Sequence, residues 1–95
     1  MSAYIVANIT EMLNPEILKQ YSVKNDPLLE EHGGKVISRG QPEIMEGDPA
    51  TLRVVVIEFA DKDAAKAWYN SDAYQKIIPL RQQGCRSTLI LMDGA

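Results

Sequence analysis

Cysteine is nearly absent from this 95-residue chain: Cys85 stands alone, so no disulfide can form within it, and a reducing, cytoplasmic compartment is the expectation. Positive charge is in deficit. Ten Lys and Arg against 13 Asp and Glu give a net charge of −3, which argues against nucleic acid as a partner, because that affinity rests on clustered cations. Long apolar runs are missing too: Val54 to Ile57 is far short of the roughly 18 residues that a spanning helix needs. The first residues carry no basic stretch followed by an apolar one, so neither membrane insertion nor secretion is expected. Histidine occurs once, at His32, and the acidic loop residues Glu43, Glu46 and Asp48 have no His or Cys near them and no recognised metal spacing. No metal or cofactor is expected.

What is present suits one compact domain over residues 1–95. Apolar residues make up 45% and charged residues 24%, and a chain of this length buries about 60 to 65% of its unfolded surface, enough for a core without staples.

Tyr4 to Ile9 reads as a strand with apolar residues on both faces. Asn14-Pro15-Glu16 then opens a helix: Asn14 can cap exposed N–H groups, Pro15 suits the first helical position, and Glu16 complements the dipole. Gly33-Gly34 ends it, and Pro27 predicts either a kink or a restart capped by Asp26. Lys35 to Arg39 forms a weaker strand suited to a sheet edge, and residues 40–51 are loop-like. Leu52 to Phe59 is the strongest strand. Arg53, Val55, Ile57 and Phe59 share one of its faces, and Leu52, Val54, Val56 and Glu58 the other. Asp61 caps a second helix carrying Ala64, Ala65, Trp68 and Tyr69. Ser71 can cap a further piece in which Tyr74, Ile77, Ile78 and Arg81 align at i, i+3, i+4 and i+7, with Pro79 predicting a bend and Gly84 the end. Ser87 to Met92 is the last strand.

Strand, helix, strand, strand, helix, strand with right-handed crossovers is the ferredoxin-like α+β arrangement: a four-stranded antiparallel sheet, first and third strands inside, two helices on one face. The opposite face has no helix, and the strand pattern leaves it apolar. Strands about 4.8 Å apart and about five residues long present roughly 320 Å² in projection. At about 25 cal/mol per Å², covering it is worth on the order of 8 kcal/mol per chain, about 16 for two, against an association cost of about 4 to 15 kcal/mol. A homodimer through the sheet faces is therefore expected.

Tyr4 with its strand, Gly33-Gly34 leading to Arg39-Gly40, Glu46-Gly47, Glu58-Phe59, Ala65 with Trp68-Tyr69, Ser71 with Tyr74, and Arg81 together resemble the small bacterial DUF1330 family over nearly the whole chain. The resemblance implies the dimeric α/β-barrel superfamily, whose members pair their sheets into a barrel and often hold a small ligand between sheet and helices. It transfers no reaction. Superfamily relatives include cofactor-free monooxygenases, lactone isomerases and haem-degrading enzymes. The last pair a first-strand Asn with a Trp and a His; Asn8 and Trp68 echo two of these, but no His follows His32.

Among candidate ligand-binding residues, Arg81 on an apolar stripe and Arg39 at a strand end both call for an anionic partner, which a ligand carboxylate could supply. The plainer alternative is a stem over the core, with the head in solvent or paired with Glu58. Trp68, Tyr69 and Tyr74 can line an aromatic pocket or simply form core. Glu58, the one acid within the strongest strand, and His32, the one group titrating near neutrality, are the candidate general acid-base residues. Their alternatives are a rim ion pair with Arg39 or Arg81 and a dipole-favoured place at a helix C-terminus. Cys85 reads as a plain thiol. These residues point to a pocket for a small acidic or aromatic metabolite, served by a cofactor-free monooxygenase- or isomerase-like enzyme or by a non-catalytic, stress-related binding homodimer. RNA-recognition domains share the element order, but the third strand offers Val55 and Ile57 where stacking rings would be wanted.

Overall fold

Asn14 opens the first helix by local chemistry: its Oδ1 accepts from the backbone N–H groups of Glu16 and Ile17, both at 3.2 Å, with Pro15 following. In the computed structural model, which describes residues 1–95, this helix is α1 (Pro15–Glu31). The remaining elements are β1 (Ala3–Met12), β2 (Lys35–Gly40), β3 (Arg53–Phe59), α2 (Lys62–Asn70), α3 (Asp72–Gly84) and β4 (Cys85–Asp93). Of the two alternatives for Pro27, the restart at Asp26 does not occur: α1 runs through Pro27 as one helix. The carbonyl that Pro27 leaves unpaired belongs to Val23, on a solvent-exposed stretch where water can satisfy it. The helix closes in a Schellman motif: Gly34 N–H donates to Leu29 O at 2.7 Å and Gly33 N–H to Glu30 O at 3.1 Å, with Gly33 at φ +73°.

The second helical region is divided at Ser71 into two helices, as the Ser71 cap in the sequence predicts. The Ser71 N–H closes α2 on Trp68 O, and its Oγ accepts from Tyr74 N–H to open α3. The last strand starts at Cys85 rather than Ser87, and the first runs on to Met12, because each extends the other: a register shift between Ile9 and Glu11 lets Met12 pair with Cys85.

The sheet is antiparallel throughout in the order β2-β3-β1-β4. Ile5, Ile57 and Phe59 face the helices and join Leu29, Ala65, Trp68, Tyr74 and Ile77 in one core. Their neighbours in the pleat, Val6, Val54 and Val56, with the exposed Ile90 and Met92, form the other face. The molecule is 16 Å thick against 34 × 33 Å across, one sheet under one helical layer, so the second face carries no helix. No helix is long and apolar enough to cross a membrane.

α1 packs chiefly on α3. Contact is closest at Gly84, where an added Cβ would lie 2.8 Å from Leu18 Cβ and 2.9 Å from its backbone. Gly84→Ala is expected to destabilise the chain by about 1–3 kcal/mol, read as a lower urea midpoint at an unchanged slope.

Candidate functional site

The supports of α1 and the floor of the sheet leave a cavity of about 170 Å³ between them. Ala7, Val55, Ile57 and Leu89 lie on its floor and Leu18, Tyr21, Asn25 and Leu29 on its α1 wall, with Trp68 and Cys85 also in the lining. A volume near 150 Å³ lined by apolar groups holds benzene, so this one has the size of a single ring.

Three arginines converge on it. Arg53 shares the inner face of β3 with Val55, and Arg39 pairs with Val55 across the β2–β3 ladder, so the two stand diagonally adjacent on the same face. Arg81 enters from the last turn of α3. The ion pairs of the fold, Lys62–Asp93 at 3.4 Å and Arg86–Glu11 at 3.0 Å, involve none of the three. Asp26 is the one acid in the lining.

Arg81 donates through Nη1 to Tyr74 Oη at 2.7 Å, and Tyr74 Oη lies 2.8 Å from Tyr21 Oη. Arg81 Nε is buried without a partner. Alongside, Trp68 Nε1 donates to Asn25 Oδ1 at 2.9 Å, which satisfies both of these buried groups. Burial pushes the Tyr21 and Tyr74 hydroxyls above the ordinary tyrosine value of 10.0, so both stay protonated at neutral pH.

Of the residues singled out in the sequence, Arg39, Trp68 and Arg81 lie on the cavity. Tyr74 sits behind it, fully buried, with its ring centroid 4.2 Å from that of Trp68. Tyr69 packs on Trp68 at 6.3 Å but is exposed and outside the lining. The two acid-base candidates are elsewhere. Glu58 follows the outward phase of β3 and accepts from Tyr4 Oη at 3.2 Å on the helix-free face, so it pairs with neither Arg39 nor Arg81. His32 is the C-terminal cap of α1, its Nδ1 2.8 Å from Leu28 O. Asn8, in phase with Val54 and Thr88, faces away from Trp68, so these two cannot act together. Val55 and Ile57, weighed as surface positions for an RNA platform, instead face the helices. Arg53, Tyr21 and Asn25 went unmarked in the sequence. Arg53 shares its phase with Val55 and Ile57 and was legible in principle; Tyr21 and Asn25 acquire meaning only through partners 53 and 43 residues away. No three His, Cys, Asp or Glu side chains come together to hold a metal.

The family model described as "Domain of unknown function (DUF1330)" matches residues 2–95. The chain belongs to the DUF1330 family. No functionally curated protein matches it. Among solved structures, a protein of unknown function from Rhodopseudomonas palustris is similar at TM-score 0.82 and 20% identity, over 99% of this chain and 82% of that one. A dimeric ferredoxin-like protein of unknown function from Jannaschia sp. is similar at TM-score 0.76 and 14% identity, over 99% and 100%. SnoaB, a cofactor-independent oxygenase from Streptomyces nogalater, is similar at TM-score 0.71 and 13% identity, over 99% and 93%. At these identities the likeness establishes the ferredoxin-like fold.

The tyrosine pair gives this DUF1330 chain a pH signature. Unfolded tyrosines release their protons near 10.0, whereas burial holds Tyr21 and Tyr74 protonated above that value. Above about pH 10 the folded state therefore binds more protons than the unfolded one, and stability, full below that pH, falls as pH rises. Melting temperatures followed from pH 8 to 11 are expected to show this decline, and Tyr21→Phe to make it shallower.

Proposed function

We propose that this DUF1330 protein is a homodimer closed through its helix-free sheet faces, each protomer holding a small acidic metabolite with a ring-sized apolar body between sheet and helices. The observation that carries the ligand class is the convergence of Arg39, Arg53 and Arg81 on one apolar cavity, with no carboxylate in ion-pair range. Like charges set diagonally on one sheet face repel, and a partly buried guanidinium without an anion forfeits solvation; a ligand carboxylate relieves both. The dimer is supported by the apolar helix-free face, with Ile90 and Met92 more than half exposed, and by the dimeric description of the Jannaschia neighbour. RNA binding finds no support there, since the inner strands offer Val6, Val54 and Val56 with Tyr4 as their one outward ring.

A second reading, cofactor-free catalysis on the same ligand, is favoured by the likeness to a cofactor-independent oxygenase. With Glu58 and His32 outside the cavity, proton transfer there would fall to Asp26, Tyr21 or Cys85. Turnover of the retained compound, as against its recovery unchanged, separates the two readings.

Native mass spectrometry of freshly purified protein is expected to give a dimer carrying a small acid. Arg39→Ala and Arg81→Ala are each expected to weaken its retention by roughly 10- to 100-fold, the worth of a charge-assisted hydrogen bond. Retention unaffected by either change would overturn the assignment. Val56→Lys sets a charge on the outward side of β3 and is expected to shift sedimentation at micromolar concentration toward the monomer.

A further inference from the structure

The cavity is not uniform along its depth. Lining residues that also reach solvent mark its mouth, and the charged ones among them are Asp26, Arg39 and Arg53; Leu29, Ile57 and Trp68 are buried and belong to its interior. The charges at the mouth divide by wall. Arg39 and Arg53 lie on β2 and β3, on the sheet side, whereas Asp26 lies on α1, on the helix side. Neither sign is satisfied within the fold. The two arginines are like charges set diagonally on one face, and neither joins an ion pair. Asp26 is in no ion pair either. Its helix neighbours are Ser22 and Val23 at i−4 and i−3 and Leu29 and Glu30 at i+3 and i+4, which offer no cation and one further anion. Nor does Asp26 cap a helix, since α1 runs on through it and Pro27. Aspartate is a poor former of helix interiors, so helix stability does not account for its place there.

We infer that the cavity takes a monocyclic α-amino acid, its ring inside and both charges of the zwitterion at the mouth, the carboxylate toward Arg39 and Arg53 and the ammonium toward Asp26. This rests on the reading of the cavity as an acid-binding site and adds an amine to the acid. The match is one of arrangement as well as of sign. An α-amino acid carries its two charges on either side of one carbon, with the apolar body leading away from both. The mouth sets opposite charges on opposing walls, above an apolar interior of single-ring size. A plain carboxylic acid satisfies the arginines but brings its anion up to Asp26 and leaves that carboxylate unpaired. An amine without a carboxylate pairs with Asp26 and meets two arginines. Only a ligand bearing both groups relieves the repulsion on both walls. Arg81, half-buried, adds its charge to the attraction for the carboxylate.

Three probes share one ring and differ in charge: L-phenylalanine, 3-phenylpropionate, which lacks the amine, and phenethylamine, which lacks the carboxylate. Titrations are followed by the indole N–H resonance of Trp68, the one tryptophan of the chain, whose Nε1 donates to Asn25 in the cavity lining. Wild-type protein is expected to bind L-phenylalanine roughly 3- to 10-fold more tightly than 3-phenylpropionate, the worth of a charge-assisted contact reduced by exposure, and phenethylamine most weakly. Asp26→Asn is expected to abolish that preference by acting in two directions. L-Phenylalanine weakens, while 3-phenylpropionate is unchanged or tightens because a facing anion is gone; a mere loss of packing weakens both. Asp26→Glu is expected to keep the preference. A preference unaltered in Asp26→Asn, or wild-type protein that binds 3-phenylpropionate the more tightly, would overturn the amine site, and the acid-binding reading stands in either case if Arg39→Ala still weakens 3-phenylpropionate. Wild-type protein that binds phenethylamine more tightly than both carboxylates, or none of the three probes, would overturn both.

Discussion

The pleat of β1, β3 and β4 sends Ile5, Ile57 and Leu91 toward the helices and Val6, Val56 and Ile90 away from them, and both sets are apolar. A sheet of this kind cannot be satisfied by a single helical layer. The three helices cover one side, which gives the molecule its 16 Å depth, and the remaining side is left without a helix over it. Two-sided hydrophobicity thus supplies both the core that folds the chain and the apolar face on which the proposed dimer rests.

On the covered side, the packing of α1 against α3 rather than against the strands decides that there is a cavity at all. Gly84 lets α3 approach the start of α1 at Leu18, and the Schellman turn at Gly33 and Gly34 fixes the far end. Held at both ends, α1 spans the sheet above Ala7, whose small side chain leaves the floor low. The buried Trp68–Asn25 bond closes one wall, and the Arg81–Tyr74–Tyr21 chain closes another. Polar groups in such walls are costly unless paired, so the few left unpaired carry more information than the many that are satisfied.

The fold was largely legible because its signals are local. Asn14, Asp61 and Ser71 cap helices by bonds to residues two or three positions on, and strand phase follows from alternation. The effect of Pro27 was not legible, since whether a missing helix bond breaks the helix depends on water reaching the freed carbonyl. The site divides the same way. Arg81 and Tyr74 were visible together at i and i+7 on one stripe, whereas the partner that completes their chain, Tyr21, lies 53 residues from Tyr74 along the chain. Glu58 attracted attention as an acid within an apolar strand, and its phase, opposite Arg53, already placed it on the other side from any pocket that Arg53 serves. His32 stood out by chemistry alone, and its place at the end of α1 gives it a backbone partner rather than the cavity.

The same alternation that makes the sheet two-sided also separates its two roles by one residue. Val55 and Ile57 lie on the cavity floor, and Val56 between them faces outward. A change at Val56 alters the outer face without altering a cavity side chain, and a change at Arg53 or Arg39 alters the cavity without altering the outer face. The cavity floor and the apolar outer face are carried by the same strands yet can be perturbed one at a time. An effect of an outward substitution on the cavity would therefore reveal coupling through the backbone of β3 rather than through any shared side chain.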